Sequence, residues 1–311
     1  MEKRMGFMQL SFAWIFALIV GAFILFLSIY IAIKFSGIEE KKQDVVVSKE
    51  LGILLNPLES GFEQARTAKI ELQKKTRIQN RCEKEEPFGR QVISVSEETF
   101  GKWSANGSEA GFLNKYIFSD KLLEGNNFYL FSMQFEFPFK IADLIVMTSA
   151  DKIYCFVDAP EEVQEKIRGL KLDNVLNKSA GSQCPHGSKK VCFSGNCDIT
   201  INKNLGKVTK RNEDSVEFYG DALMYSAIFS DNEIYECQFK RLMQRTKQLA
   251  SLYNQKATFI NRYGCSTNLP LASLINLADN FENSRDLSGA LLGVVDEIKT
   301  RNEENQACRL W

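Results

Sequence analysis

The sequence predicts an α+β protein with an N-terminal transmembrane helix, a small antiparallel sheet and a C-terminal antiparallel helical hairpin. Residues 5–33 contain no charged side chain, short aromatic and β-branched runs alternate with turn residues in the middle, and residues 230–311 repeat apolar positions three and four apart. We divide the chain into a leader (1–9), a transmembrane helix (10–33), a juxtamembrane linker and helix (34–80), a mainly β region (81–229) and the helical hairpin (230–311).

The apolar segment 10–33 is long enough to cross a lipid bilayer. At about 1.5 Å per residue, a helix of this length exceeds the roughly 30 Å hydrocarbon core. A cleavable signal would carry a shorter apolar stretch of roughly 7–15 residues and a small-residue cleavage site. Apolar side chains lie on every face of the helix, which is typical of lipid contact, whereas a buried core helix is the alternative. We therefore expect a retained single-pass anchor.

The distribution of charge and cysteine predicts on which side the domain lies. The 39 basic and 39 acidic residues cancel, which argues against a nucleic-acid partner. All eight cysteines follow the apolar segment, at Cys82, Cys155, Cys184, Cys192, Cys197, Cys237, Cys265 and Cys308. An even number on one side indicates disulfides in an oxidising compartment, so we expect the N-terminus inside and the main domain outside the cell membrane. The sequons at Asn106 and Asn177 are candidate glycosylation sites.

The first twelve residues, with Lys3 and Arg4 before Gly6 and Phe7, resemble the class III signal of type IV pilins. The resemblance implies that a prepilin peptidase cuts between Gly6 and Phe7, and that the apolar helix packs among pilus-like subunits or stays in the membrane. Many pilins have glutamate five residues after the cut, where this chain has Ser11. A plain signal anchor is the alternative. The final residues 308–311, Cys-Arg-Leu-Trp, resemble the end of archaeal membrane proteins that carry no assigned activity.

The segment after the membrane combines a predicted helix with predicted strands. Asn56 and Pro57 are typical of an N-cap and a first helical position, and Glu59 follows, so we expect a helix to about Ile78. Strands are predicted over 92–95, 128–137, 141–147, 152–157, 198–201 and 216–219, and a short helix through Ile167.

The loop between Cys184 and Cys197 holds three cysteines and the single histidine, His186. Cys184, His186, Cys192 and Cys197 together would complete a tetrahedral zinc site. Their spacing is not that of paired C-x-x-C motifs, and an exported domain favours disulfides. Disulfides are therefore the first interpretation, and zinc and unpaired thiols are the alternatives. No other cofactor is indicated.

The last region predicts two long amphipathic helices. Ser230 and Glu233 have the spacing of a capping box, Gly264 is placed to end the first helix, and Pro270 opens the second. If the two helices run antiparallel, Cys237 and Cys308 lie close together and can form a disulfide.

No catalytic constellation is recognisable in the sequence, since it has one histidine, scattered carboxylates and no phosphate-binding loop. We expect a noncatalytic structural or interaction protein, such as a pilin-like surface or adhesion subunit, whose partners are the bilayer and other membrane or pilus-like subunits. The alternative is a membrane-tethered hydrolase or thiol-dependent enzyme that uses the loop from Cys184 to Cys197.

Overall fold

The computed structural model describes residues 14–32, 66–84, 88–104 and 108–311. Its helices are α1 (Trp14–Ala32), α2 (Glu161–Leu170), α3 (Gly220–Phe229), α4 (Asn232–Asn261), α5 (Leu271–Asp279) and α6 (Gly289–Glu304), with a short 3-10 helix at Ser284–Asp286. Its strands are β1 (Arg66–Glu83), β2 (Arg90–Thr99), β3 (Lys102–Trp103), β4 (Ser108–Phe112), β5 (Ile117–Phe118), β6 (Leu122–Glu136), β7 (Lys140–Ser149), β8 (Tyr154–Val157), β9 (Val175–Lys178), β10 (Lys189–Cys192), β11 (Ile199–Asn202), β12 (Lys207–Lys210) and β13 (Val216–Glu217).

Helix α1 confirms the predicted apolar helix within residues 14–32. It is long and apolar enough to cross a membrane, and every one of its residues is exposed. In the described part of the chain it is the one helix with these properties. A helix that buries nothing against its own protein leaves its whole apolar surface for another environment.

The first sheet has seven strands in the order β3-β2-β1-β6-β7-β5, with β4 also paired to β2. The sheet curls, so that side chains of β1 and β2 form hydrogen bonds with the backbone of edge strand β5. The Ile117 carbonyl accepts from Asn80 Nδ2 at 3.2 Å, and the Ile117 amide donates to Gln91 Oε1 at 3.3 Å. The curl encloses a small core in which apolar side chains of β1, β2, β5, β6 and β7 form one cluster.

The predicted helix through Ile78 is wrong over residues 66–78, which belong to β1. Its start at Asn56 and Pro57 lies outside the described residues. Ile70 and Ile78 are buried, and the alternation of polar with apolar residues around them has the period of two that is typical of a half-buried strand. Tertiary pairing with β2 and β6 therefore decides the structure here.

The second sheet has six strands in the order β13-β12-β11-β10-β8-β9. Strands β9, β8, β10 and β11 are parallel neighbours, and β11, β12 and β13 are antiparallel. The predicted small antiparallel sheet is thus corrected to two larger, mixed sheets. Parallel pairing requires a crossover, and α2, which was predicted through Ile167, is the crossover between β8 and β9.

The main core lies where α3 packs against β6 and β7 of the first sheet and β12 of the second. All residues from Ala222 to Phe229 are buried. Strand β6 is buried on both faces, since Phe131 lies in the main core while Phe128 and Leu130 lie in the small core. The apolar run at residues 128–131 of β6 follows from this double burial.

The C-terminal region is not a simple two-helix hairpin, because the second predicted helix is interrupted at the 3-10 helix. Ion pairs Lys247–Asp279 (2.5 Å) and Lys240–Glu282 show that α5 runs antiparallel to α4. The chain then reverses, and α6 returns towards the end of α4. The reversal is held by Ser284, whose hydroxyl donates to Glu236 Oε1 at 2.5 Å.

The predicted ends of α4 are right, but the predicted capping box is wrong. Ser230 precedes the N-cap position of α4, and its hydroxyl donates to the Ser226 carbonyl of α3 at 2.6 Å. Asp231 occupies the N-cap position, and its carboxylate accepts from the Lys121 amide at 2.7 Å. At the other end Gly264 adopts φ +85°, and the next amide bonds back to the Ile260 carbonyl, as in a helix stop.

The C-terminal tail folds against the helices. The Asn302 carboxamide accepts from the Leu310 amide at 2.8 Å and donates to the Trp311 carbonyl at 3.3 Å. The Trp311 ring packs at 4.9 Å from Tyr253 and 5.2 Å from Phe139. The final Leu-Trp is therefore part of the core.

Candidate functional site

All eight cysteines form disulfides, which confirms the predicted oxidised framework. The pairs are Cys82–Cys237, Cys155–Cys184, Cys192–Cys197 and Cys265–Cys308. The predicted pair Cys237–Cys308 is wrong, because α6 runs back towards the end of α4 and carries Cys308 to Cys265. Cys237, at the start of α4, instead meets Cys82 at the end of β1.

The loop from Cys184 to Cys197 is tied at both ends by these bonds. Cys184 is bonded to Cys155 within buried strand β8, and Cys192 and Cys197 close a loop on each other. Three of the four candidate zinc ligands are therefore disulfide sulfurs, which are not the thiolates that zinc binds. His186 lies exposed at the loop, and among the described residues no cluster of three or more metal-binding side chains forms.

The candidate modification sites differ in their surroundings. Gly6, Phe7 and Asn106 lie outside the described residues. Asn177 lies half-buried in β9, and its Nδ2, the atom that would carry a glycan, donates to Gln164 Oε1 at 3.0 Å. Attachment at Asn177 would disturb this contact. Both sequons remain predictions.

The most developed polar constellation surrounds Arg241 of α4, which is 2% exposed. Its Nε donates to the Phe88 carbonyl at 3.0 Å, and Nη1 donates to the Lys115 carbonyl at 2.9 Å and to Gln238 Oε1 at 2.7 Å. Its Nη2 donates to the carbonyls of Leu113 (2.9 Å) and Phe112 (3.5 Å). All five N–H groups are thus used, and no acceptor in the described part of the chain is a carboxylate.

Buried amides extend this constellation into the curled sheet. Gln238 donates to Gln91 Oε1 and to the Ile117 carbonyl, and Gln91 donates to Asn80 Oδ1. Gln238 and Gln91 are 0% exposed and Asn80 is 1% exposed. Burying so many polar groups is tolerated because each finds a partner, and the network fixes α4 against β1, β2 and β5. The bond Cys82–Cys237 reinforces the same junction.

A cavity of about 490 Å³ opens beside the Arg241 constellation. Tyr116 forms one wall, and its ring centroid lies 4.9 Å from the Arg241 guanidinium carbon. The other walls are formed by Phe88, Leu113, Asn114, Lys140, Ile141, Ala142, Asp143 and Arg245. Burial raises the pKa of the Tyr116 hydroxyl, so it stays a neutral donor. The lining combines apolar side chains with three charged ones, Lys140, Asp143 and Arg245, of which Lys140 and Asp143 form an ion pair at 3.0 Å.

A second cavity of about 290 Å³ lies where the two sheets meet. The amino ends of parallel strands β8, β10 and β11 contribute to it, together with the carboxyl end of β12 and the N-cap of α4. Its charged walls are four cations and four carboxylates, namely Lys152, Lys189, Lys210, Arg211, Asp120, Asp198, Glu213 and Asp231. Lys152 bonds Asp120 at 2.5 Å, and Arg211 lies 3.4 Å from Asp198. The formal charges of these walls balance.

The groups in this second cavity have shifted pKa values. Burial raises the pKa of Asp120 and raises that of Tyr154 to about 12. Burial opposes the charge of Lys152, but neighbouring Tyr154 and Asp120 outweigh it and raise the Lys152 pKa. Lys210 donates to the Ser230 carbonyl and has no such close carboxylate, so burial lowers its pKa to about 8. The cavity thus lies between the strand ends of the second sheet and the start of α4, which packs beside the first sheet.

Sequence reasoning missed both constellations. The signal for the first was present, since Gln238 and Arg241 interrupt the apolar face of α4 between Tyr235, Phe239 and Leu242. A polar residue on a buried helix face needs a partner, but the sequence does not show which carbonyls supply it. The second constellation joins residues from six separate segments and has no local pattern.

Neither a protein-family model, a curated protein nor a solved structure matches this chain.

Proposed function

We propose that the chain is a membrane-anchored, extracytoplasmic structural or interaction protein. The observation that carries this proposal is the combination of a fully exposed apolar helix with a following domain in which every cysteine is disulfide-bonded. Disulfides persist where the surroundings are oxidising, and an exposed apolar helix requires lipid or other apolar helices around it. Together they favour α1 in the cell membrane, the N-terminus inside and the domain outside.

The character of the domain supports a structural role over catalysis. Its buried polar groups are engaged in holding elements together: Arg241 and Gln238 bond carbonyls and amides, and Lys152 bonds Asp120. Four disulfides and a docked C-terminus add rigidity of the kind that surface domains need. Rigid, cross-linked domains suit adhesion or assembly.

A pilin-like subunit is the finer form of this proposal. It rests on the leader around Gly6 and Phe7 and on an apolar helix that presents its whole surface for packing with other subunits. Ser11 at the usual glutamate position favours a subunit that stays in the membrane over one that enters a long filament.

A membrane-tethered enzyme using the loop from Cys184 to Cys197 has less support. A thiol-dependent mechanism needs a free thiolate, and all three loop cysteines are in disulfides. His186 could serve a hydrolase only with partners, and it lies exposed in the loop without a hydrogen bond or ion pair to a described residue.

Mass spectrometry of the full chain from its native membrane tests the proposal. We expect a mature N-terminus at Phe7 and no alkylation of cysteine until a reductant is added, then eight alkylated residues. An N-terminus at Met1 together with paired thiols would still support an anchored extracytoplasmic domain, but it would contradict the pilin-like processing. Free thiols in the native protein would contradict the extracytoplasmic placement.

Orientation is tested separately on intact cells. A membrane-impermeant reductant followed by an impermeant maleimide should label the domain, whereas the maleimide alone should not. As the matched control, lysed cells treated in the same way should give no additional labelled cysteines. Labelling that appears only after lysis would place the domain inside.

A further inference from the structure

Strand β1 has an open edge over its first half. Residues 66–71 pair with β6 on one side, whereas β2 pairs with β1 only from Thr76 onwards. Within the part of the chain that the structure describes, no strand covers the other side of residues 66–71. Such an edge presents unpaired backbone groups and is a template for another strand.

The hydrogen-bond pattern shows which backbone groups face this edge. The Ile145 amide of β7 bonds the Tyr116 carbonyl, away from β6. Because backbone direction alternates along a strand, Ser132, which pairs with Ile145, faces β1, and its partner Arg66 faces β6. By the same alternation Ala68 and Ile70 face β6. The amides and carbonyls of Thr67, Lys69 and Glu71 therefore point to the open edge.

The side chains along the edge have one polar and one apolar face. Thr67, Lys69 and Glu71 are exposed, and Lys69 Nζ lies 2.6 Å from Glu71 Oε1. On the other face Ile70 is buried in the small core, and Ala68 and Leu72 are only partly covered at its margin. The small core thus ends at this edge with apolar surface that an added strand would cover.

We propose that this edge binds a second copy of the chain, with the two β1 strands antiparallel about a two-fold axis at Ile70. The proposal rests on the proposed interaction role and deepens it by naming the partner. Lys69 of each copy then lies opposite Glu71 of the other, and each of these two pairs exchanges two backbone hydrogen bonds. The apolar face places Ala68 opposite Leu72, and Ile70 opposite itself.

Charge selects this register over its neighbours. A two-fold axis perpendicular to the sheet leaves every side chain on its own face of the sheet. Two residues directly opposite each other must therefore both have even numbers or both have odd numbers, so the axis passes between one residue and its own copy. An axis at Lys69 would set that lysine against itself, and an axis at Ala68 would place Lys69 opposite Thr67 and leave Glu71 without a cation. Among axes within the open edge, residues 67–71, only the axis at Ile70 gives two attractive pairs, and like charges directly opposite are destabilising.

Charge exchange in the full chain tests the proposal by sedimentation in detergent micelles. The wild type should form a dimer. Lys69→Glu and Glu71→Lys, each alone, turn two attractive cross-strand pairs into repulsive ones and should weaken the dimer about tenfold or more. The double variant should recover it. Mixing the two single variants should give a mixed dimer near wild-type affinity, although the Lys69–Glu71 contact within each chain stays broken.

A surface charge change elsewhere, Lys299→Glu on α6, is the matched control and should leave the dimer intact. A wild-type monomer would overturn the proposal, and so would single variants that dimerise as the wild type does, since association would then use another surface such as α1. Failure of the mixture to recover would also overturn it. None of these results changes the cysteine or orientation measurements, so the proposed function is tested independently.

Discussion

At the scale of single residues, Arg241 shows how a buried charge can serve as a structural clamp. It is surrounded by neutral acceptors on two chain segments, residues 88 and 112–115, and by Gln238 of its own helix. Burial lowers its pKa, but an arginine keeps its proton under all ordinary conditions. The guanidinium thus fixes loops to α4 by hydrogen-bond geometry and without an ion pair.

Replacing Arg241 should therefore be costly. Arg241→Met leaves four carbonyls and one amide oxygen without their donor, and we expect a loss of about 3 kcal/mol or more in the free energy of unfolding. Arg241→Lys keeps the charge but offers three donors in place of five, so its loss should be intermediate. Urea titration of the oxidised protein measures both.

Arg245, four residues further along the same helix and exposed, is the matched control. Arg245→Met should change the free energy of unfolding by less than about 0.5 kcal/mol. Equal losses at the two positions would show that the carbonyl contacts of Arg241 contribute little.

Lys210 predicts a pH dependence. Its pKa is about 8 in the folded protein against an ordinary value of 10.5. Below pH 8 it is charged in both states, so the folded state bears the full cost of burying the charge. Between pH 8 and 10.5 the folded protein releases the proton while the unfolded chain keeps it, so stability rises with pH, by at most about 1.4 kcal/mol per pH unit.

This contribution should disappear in Lys210→Met. The difference in free energy of unfolding between wild type and variant, measured by urea titration from pH 7 to pH 10.5, should grow in favour of the wild type. Lys189→Met, at an exposed position of the same cavity, is the matched control. A flat difference for Lys210→Met would mean that Lys210 titrates normally.

At the scale of elements, the sequence indicated those segments whose pattern is local. Strands β6, β7, β8 and β11, helices α2 and α4, and the stop at Gly264 all carry their own periodicity or turn residues. Strand β1 was predicted as a helix because Asn56, Pro57 and Glu59, which precede it, are typical of a helix start. Parallel pairing was not predicted, because the residues of a strand do not indicate whether the neighbouring strand runs parallel or antiparallel to it.

The same distinction applies to the cysteines. The number of cysteines and their position after the apolar segment predicted disulfides. Which cysteines pair depends on where the chain reverses its direction. Placing Cys308 beside Cys265 required knowing that the chain turns twice after α4. The polar turn at Asn283 and Ser284 was the local signal, and its capping by Asp286 marks the break.

The disulfides should differ in their contribution to stability. Cys82–Cys237 spans 155 residues and joins β1 to α4, whereas Cys192–Cys197 spans 5 residues within one loop. If a disulfide acts mainly by restricting the unfolded chain, the long-range bond contributes about 5 kcal/mol and the short one about 2 kcal/mol. Paired Cys→Ala substitutions, compared by urea titration, measure the difference.

The short bond serves as the control for the long one. A loss for Cys192–Cys197 equal to that for Cys82–Cys237 would argue against the chain-entropy account. It would indicate that the loop's contacts in the folded state dominate.

At the scale of the whole molecule, α1 is not packed against the other described parts of the chain. No residue of α1 is buried, whereas residues 66–311 contain both cores and all four disulfides. In the proposed function, α1 supplies the location and the disulfide-bonded domain supplies shape and rigidity. Anchoring in a membrane would also concentrate the domain in two dimensions, which favours the proposed edge pairing of β1 with a second copy.

Deleting residues 1–33 should accordingly release the domain without unfolding it. Made in an oxidising compartment, the shortened protein should be soluble, contain four disulfides and unfold at the same urea concentration as the full chain in micelles. The full chain should stay in the membrane on alkaline carbonate extraction. Conservative replacement Ile24→Leu is the control for α1 and should not alter extraction. A shortened protein that aggregates, or that unfolds at markedly lower urea, would show that the domain depends on contacts with the anchor.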